Sequence, residues 1–226
     1  MNKDSNIIDR RKTYYCIIDT EGFSVDGLKC SPCVGSIYDF GFAIIDKKGR
    51  IYHKKGFLIK ETLFNRDWNA PHYAKKREVY NVDYVKAEWA AIKWYLQSYC
   101  TLYNVRVFIS HNSNYDIKAI DATAAAIGET SLLPSNIEFW NSIAMCSSVI
   151  SQVQYRRYCT DNNYLYHNTP RRTLEILSKF KQGKNYIQTH TALCDVLDLI
   201  QILQWIFAQH KKIKKGMIGN ETYTKV

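Results

Sequence analysis

The length, composition and charge of this chain exclude several classes of protein. Its 226 residues suffice for one large hydrophobic core but are few for two, and 46% hydrophobic with 23% charged residues is ordinary for a globular domain. No apolar run reaches the length expected of a membrane-spanning helix, so we expect no membrane partner. Thirty-one basic residues against 21 acidic ones give a net charge of +10, which favours nucleic acid as the partner.

The cysteines and the N-terminal residues bear on where in the cell the protein is found. Seven cysteines, an odd number scattered along the chain, do not form the pattern of a disulfide framework. Residues 1–5 are polar and lack the apolar core of a signal peptide. We therefore expect a reduced, intracellular protein of the cytoplasm.

The chain begins with a basic lead-in over residues 1–13, followed by an apolar strand over 14–19. A polar, glycine-containing stretch over 22–35 comes next and includes Cys30 and Cys33. This Cys-x-x-Cys is interpreted as a loop turn, because no second such pair or Cys/His pair occurs at a zinc-binding spacing.

The next segments predict a hairpin and a helix. Apolar runs over 37–46 and 51–59 flank a short glycine-containing turn, which is typical of two antiparallel strands. Residues 60–81 are irregular. A helix is then predicted over 83–99 from apolar residues at the spacing of one helical face, namely Val85, Trp89, Ile92, Leu96 and Tyr99.

A fourth strand is predicted over 105–110, where the apolar run is continuous. A helix follows, ending near Ile127 with Gly128 as its stop signal, and a short fifth strand covers 137–140. The remaining predictions are a helix over 141–151, a loop rich in tyrosine and asparagine over 152–169, a helix over 173–180 capped by Thr173, an apolar helix over 192–209 and a basic tail over 210–226.

This order of elements predicts a single α/β domain over residues 14–209. Its core would be a mixed five-stranded sheet, with three antiparallel strands followed by two parallel ones and helices on both faces.

Four acids are expected to meet at one edge of this sheet. Asp19 and Glu21 end the first strand, and residues two apart on a strand point to the same face. Alone they would be read as a solvated strand end. Asp116, however, follows the fourth strand, and Asp195 begins the last helix, with His190 in the loop before it. Sites in such sheets form outside the carboxyl ends of parallel strands.

Four carboxylates with a histidine match the needs of a phosphodiester-cleaving site. The carboxylates would hold two divalent cations, Mg²⁺ or Mn²⁺, because oxygen ligands suit these ions and the cations remove the repulsion between the acids. The histidine could take the proton from the attacking water.

Three motifs in order resemble the DEDDh exonucleases of the DnaQ-like group, within the ribonuclease H-like superfamily. The first is Asp19-Thr20-Glu21 after a strand, and the second is the run from His111 to Asp116. The third is the spacing of His190 and Asp195 at the start of the last helix. The resemblance spans residues 14–205, and Thr191 disfavours the sister class, which has tyrosine at that position.

The resemblance implies 3′-to-5′ cleavage of DNA or RNA ends, single-stranded ends favoured, to nucleoside 5′-monophosphates. It implies metal binding by Asp19, Glu21, Asp116 and Asp195, and the role of general base for His190. The substrate contacts that it implies are Thr20, Gly22, Phe23, Asn112 and Tyr115. Core packing for Phe23, and a purely structural tie for Asn112, remain alternatives. His111 is expected to be structural.

The chain departs from the family pattern at two places. The stretch over 22–35 is longer than the family's usual connection, which leaves its substrate contacts open, and Tyr115 replaces the commoner phenylalanine. Two other functions also stay open. One is a catalytically idle nucleic-acid-binding module of the same fold, and the other is a ribonuclease H-like endonuclease. The choice between DNA and RNA, the pathway and the oligomeric state are not predicted.

Overall fold

The computed structural model describes residues 8–9, 11–22, 37–63, 83–209 and 221–223. Phe23 and the Cys30–Cys33 pair lie outside this part of the chain. In chain order the elements are β1 Tyr14–Gly22, β2 Ile37–Asp46, β3 Ile51–Ile59, α1 Lys60–Leu63, β4 Tyr84–Ala87, α2 Trp89–Leu102, β5 Val107–Ser110, α3 Ser113–Ala126, β6 Ile137–Asn141, α4 Ser142–Val149, α5 Gln152–Asp161, β7 Leu165–Tyr166, β8 Thr169–Pro170, α6 Leu174–Gln182, α7 Ala192–Gln209 and β9 Glu221–Tyr223.

The main sheet has the strand order β4-β3-β2-β1-β5-β6-β9. Strand β2 pairs antiparallel with both β1 and β3, whereas β5 pairs parallel with β1 and β6 pairs parallel with β5. The predicted mixed sheet of three antiparallel and two parallel strands is therefore confirmed. Two edge strands extend it beyond the five predicted: β4 runs parallel to β3, and β9, in the segment predicted as a tail, runs antiparallel to β6.

Both faces of this sheet are buried, and alternate residues of β1 point to opposite faces. Tyr14, Cys16 and Ile18 pack in the hydrophobic cluster that includes α2 and α3. Tyr15 and Ile17 pack in a second cluster, with buried side chains of α4 to α7. A strand buried on both sides reads as a continuous apolar run, which explains why β1 shows no alternation in its sequence.

The predicted helix over 83–99 was wrong at its start. Residues 84–87 form strand β4 on the open edge of β3, and the helix begins at Trp89. Val85 is 42% exposed on this edge strand, so its spacing from Trp89 was not a helical face. Pairing with β3 satisfies backbone groups that a helix start would leave without partners.

The predicted loop over 152–169 was also wrong, because it contains helix α5 and the hairpin β7–β8. Only Tyr155 and Cys159 of α5 are buried, one turn apart, so the apolar pattern was too sparse to predict a helix. By contrast, the predicted cap of α6 is confirmed, since the Thr173 hydroxyl accepts a hydrogen bond from the Ile176 amide at 3.3 Å.

Helix α7 is the most apolar element of the described residues. Its 18 residues are long and apolar enough to cross a membrane by length and composition alone, contrary to the expectation that no run would be long enough. Its side chains, however, form the centre of the second hydrophobic cluster, against β1 and β2. This packing makes α7 a core helix.

Candidate active site

The end of β1 directs its side chains to two sides. Asp19 and Glu21 continue the face of Tyr15 and Ile17, which is covered by α7, while Thr20 points to the face covered by α3. The register of β1 and β2 places Asp19 opposite Gly41 and Glu21 opposite Asp39. The Asp-x-Glu motif therefore projects both acids toward the N-terminus of α7.

Asp116 reaches the same place from the other face. It lies in the first turn of α3, directly after β5, and is 3% exposed. The Thr20 hydroxyl donates a hydrogen bond of 2.8 Å to its carboxylate, which ties α3 to the end of β1. Burial raises the pKa of Asp116 to about 7, although this hydrogen bond opposes the shift.

Helix α7 contributes the fourth acid and the histidine. Asp195 lies in its first turn and is 5% exposed, and the Gln188 amide donates to its carboxylate at 2.6 Å. His190 is exposed, with its backbone in the left-handed region at φ +55°. Such a conformation is unusual outside glycine and occurs often at functional sites. Ligand atoms of Glu21, His190 and Asp195 lie within 4.8 Å of one another.

The electrostatics of this acidic wall (Asp19, Glu21, Asp116 and Asp195) fit a divalent cation. Burial raises the pKa of Asp19 well above its usual range, and the negative charges of Asp116, Asp195, Glu21 and Asp39 raise it further. The repelling neighbours are themselves carboxylates, and such oxygen donors are the ligands that Mg²⁺ and Mn²⁺ prefer. The donor set therefore fits the predicted metal ions.

A buried network on the sheet holds the N-terminus of α7. The Asp39 carboxylate accepts from the Ala192 amide at 3.1 Å and from the Tyr84 hydroxyl at 3.4 Å. The Tyr84 hydroxyl in turn accepts from the Leu193 amide at 2.8 Å. These bonds satisfy amides that begin a helix without intrahelical partners, and they position the helix that bears Asp195.

Gly41 allows this close approach. A Cβ atom at Gly41 would lie 2.5 Å from the carbonyl carbon of Ala192 and from the Leu193 nitrogen. Any side chain would therefore displace the first turn of α7. Sequence reasoning missed Asp39, Gly41 and Tyr84, because their partner is a helix far along the chain.

All five predicted catalytic residues line one cleft of about 700 Å³. Of the predicted substrate contacts, Thr20, Asn112 and Tyr115 line it too. Gly22 pairs with Ile37 beyond an irregularity in β1, and Phe23 lies outside the described residues. Asp198, one turn after Asp195, instead accepts a hydrogen bond from the Tyr186 hydroxyl. The roles of these residues remain predictions, but the structure brings the catalytic set together.

The opposite side of the cleft was not predicted. We call it the hairpin wall, and it consists of Tyr166 and residues 169–172. His111 ties this wall to α4: its Nε2 lies 2.7 Å from the Arg172 carbonyl and its Nδ1 lies 2.9 Å from the Ser142 hydroxyl. A carbonyl only accepts, so Nε2 holds the proton and Nδ1 accepts from Ser142. Burial lowers the pKa of His111 to about 4, so the ring is neutral at pH 7.

Comparison with known proteins supports the fold. Neither a protein-family model nor a curated protein sequence matches this chain. A solved 3′-exonuclease that recognises the 3′ end of the histone mRNA stem-loop is similar over 93% of this chain and 91% of its own, with TM-score 0.60 and 11% identity. The chain has the fold of these exonucleases.

Two further solved structures are similar in the same way. Cell-death related nuclease 4 matches over 87% of this chain and 64% of its own, with TM-score 0.58 and 11% identity. Exonuclease I of E. coli, in complex with an oligonucleotide, matches over 84% of this chain and 40% of its own, with TM-score 0.53 and 12% identity. The ribonuclease H-like fold that the motifs predicted is thus confirmed.

Proposed function

We propose that this protein is a metal-dependent 3′-to-5′ exonuclease that releases nucleoside 5′-monophosphates from the ends of DNA or RNA strands, single-stranded ends favoured. One observation carries the proposal: Asp19, Glu21, Asp116, Asp195 and His190 line a single cleft at the carboxyl ends of β1 and β5. The fold shared with solved exonucleases and the net charge of +10 support it.

Asp19, Glu21, Asp116 and Asp195 would hold two divalent cations, Mg²⁺ or Mn²⁺. Bound there, such ions supply an activated water and stabilise negative charge on the attacking and leaving oxygens. The chain prepares the cation site by fixing Asp116 through Thr20 and by holding α7 through Asp39.

His190 would act as the general base. A ring nitrogen of the neutral imidazole takes a proton from water as the water oxygen bonds to phosphorus. The bond between phosphorus and the 3′ oxygen of the preceding nucleotide breaks, and that oxygen takes a proton from solvent. The exposure of His190 lets its ring return the acquired proton to solvent after each turnover.

The site also has room for the terminal nucleotide. Tyr115 is 42% exposed beside Asp116, so its ring is available to a base, while Asn112 begins the same helix. We assign both, with Thr20 and Phe23, to contacts with this nucleotide.

The experiment pairs two acids of α7. Purified protein, Asp195→Asn and Asp198→Asn are incubated with strands of DNA or RNA labelled at the 5′ end, in Mg²⁺, Mn²⁺ or EDTA. We expect the unmodified protein and Asp198→Asn to shorten the strands stepwise from the 3′ end with either metal, but not in EDTA. Asp195→Asn should fold and bind the strand without cleaving it.

Three outcomes would overturn this proposal. Internal cuts would indicate an endonuclease, and binding without any cleavage by the unmodified protein would indicate an idle module. Normal cleavage by a folded Asp195→Asn protein would remove Asp195 from the metal site.

A further inference from the structure

The hairpin wall is a preformed element. Strands β7 and β8 are joined by only two residues, His167 and Asn168, both at positive φ (46° and 60°). This is the turn conformation whose twist matches that of a tight hairpin. The Arg156 guanidinium donates to the Asn168 carbonyl at 3.2 Å and so braces the turn from α5. The hairpin is therefore shaped before any ligand arrives.

The base of the hairpin, at Arg171 and Arg172, is hydrogen-bonded to residues of the domain core and of α5. The hydroxyl of Tyr155, which is 1% exposed, donates to the Arg171 carbonyl. The Arg171 amide donates to the Tyr164 carbonyl at 3.0 Å. The next residue, Arg172, is held through its carbonyl by His111 and through its guanidinium by Gln152 at 2.6 Å. The backbone at Arg171 thus has a fixed position, while its side chain is exposed.

The side chains that this wall presents suit a nucleic-acid strand. Tyr166 is 62% exposed although it lines the cleft, and the His167 ring contacts it edge-on at a centroid distance of 4.2 Å. Arg171 lines the cleft too, and within the described residues no carboxylate forms an ion pair with it. The wall thus presents an aromatic ring and a cation to the same cleft, and these groups suit a base and a backbone phosphate.

The charges of the two sides set the direction of the strand. The acidic wall repels phosphates that no cation screens, whereas Arg171 attracts them. A strand whose terminal phosphodiester lies at the acids would reach the positive charge of Arg171 by turning toward the hairpin. We therefore favour a nucleic-acid strand over a protein as the partner of this wall, because the carboxylates on the other side of the cleft suit a metal-bound phosphodiester.

We propose that the hairpin wall binds the nucleotides on the 5′ side of the scissile bond, with Tyr166 stacking on a base and Arg171 binding a backbone phosphate. This inference rests on the proposed function, because that function defines where the scissile bond lies. The wall acts on strand binding and leaves the chemistry to the acids and His190.

The experiment compares two substrates that differ in what the wall can touch. One is the p-nitrophenyl ester of thymidine 5′-monophosphate, which has no nucleotide beyond the scissile bond. The other is a single-stranded oligodeoxynucleotide. The variants are Tyr166→Ala and Arg171→Ala, with Tyr166→Phe and Arg171→Lys as conservative changes. Matched controls outside the cleft are Trp94→Ala, an aromatic residue 72% exposed on α2, and Arg157→Ala on α5.

We expect Tyr166→Ala to raise KM for the oligonucleotide roughly tenfold or more, the usual effect of losing one stacked base. Arg171→Ala should raise the same KM, and kcat on the ester should stay unchanged for both. The conservative variants should recover most of the affinity, and the controls should behave as the unmodified protein.

Unchanged KM for the oligonucleotide in both alanine variants would overturn the inference, as would an equal loss on the ester. If the unmodified protein cleaves neither these substrates nor the RNA strands of the preceding experiment, the proposed function fails while the wall can still be judged. Fluorescence anisotropy with a labelled single strand then decides: weaker binding by the two alanine variants, but not by the controls, supports the wall, and equal binding contradicts it.

Discussion

The two sides of the cleft are built in different ways. The acidic wall depends on distant parts of the chain: Thr20 and Asp116 are 96 residues apart, and Asp39 holds an amide 153 residues away. The hairpin wall is local, since its two strands are separated by a two-residue turn. The acidic wall therefore forms only when the sheet and both covering helices are in place, whereas the hairpin requires little beyond its contacts with α5 and His111. The proposed chemistry lies on the first side and the proposed strand binding on the second.

The largest effect should come from His190, which lies beside the acidic wall. His190→Ala should lower turnover by roughly 10²- to 10⁴-fold, the usual contribution of a positioned base. Because φ at this position is +55°, His190→Asn is the better test of chemistry, since asparagine tolerates the left-handed region.

Both variants should bind the oligonucleotide as the unmodified protein does, measured by anisotropy beside the cleavage rate. A folded His190→Asn protein that cleaves normally would show that the ring has no part in the reaction.

A smaller effect should follow from moving the acidic wall as a whole. Gly41→Ala places a Cβ against the backbone of Ala192 and Leu193, so we expect a loss of about 1 to 3 kcal/mol in the free energy of unfolding. Turnover per folded molecule should also fall, because Asp195 moves with α7.

Gly128→Ala is the matched control for this change. A Cβ at Gly128 meets nothing within 4 Å, although φ is +73° there. It should cost stability of about 1 kcal/mol without changing turnover, by denaturant unfolding and rate measurement. Equal turnover in the two variants would mean that the position of α7 does not limit the site.

The last prediction is on the pH dependence of stability and concerns His111, which bonds to the hairpin wall. Burial lowers its pKa to about 4 in the folded protein, against about 6.5 in an unfolded chain. Below pH 6.5 the His111 ring therefore binds a proton in the unfolded state but not in the folded state. The contribution of His111 to the free energy of unfolding is complete above pH 6.5 and is lost as the pH falls toward 4.

His111→Gln can still donate to the Arg172 carbonyl but does not titrate in this range. The unfolding free energy of the variant should therefore lose roughly 1 to 3 kcal/mol less than that of the unmodified protein between pH 6.5 and 4. The pKa of His53 is also lowered to about 4, first by burial and then by Lys55, and both proteins share this contribution. Parallel stability curves would contradict the assignment.

The two sides also differ in how far they could be predicted from sequence. The bounds of β2, β3 and α7 were predicted correctly because long apolar runs end at clear polar or glycine-containing turns. Asp19, Glu21 and Asp116 could be brought together because they lie at the ends of neighbouring strands, or just beyond them. Both inferences used patterns that extend over a whole strand or helix.

The rest depended on contacts that no local pattern encodes. Tyr166 ends one two-residue strand and Arg171 directly follows the other, and strands this short show no alternation. Asp39 reads as one polar residue in an apolar strand until the α7 amides are placed beside it. Gln188 has no signal beyond lying in the loop before Asp195.

The central claim is that four carboxylates from β1, α3 and α7 together hold two divalent cations, and Mn²⁺ binding tests it most directly. Calorimetric titration of Mn²⁺ into the unmodified protein, Asp19→Asn and Asp198→Asn requires no substrate and no turnover. We predict two bound ions for the unmodified protein and for Asp198→Asn, with at least one site lost in Asp19→Asn. No binding to the unmodified protein, or equal binding by folded Asp19→Asn, would contradict the account.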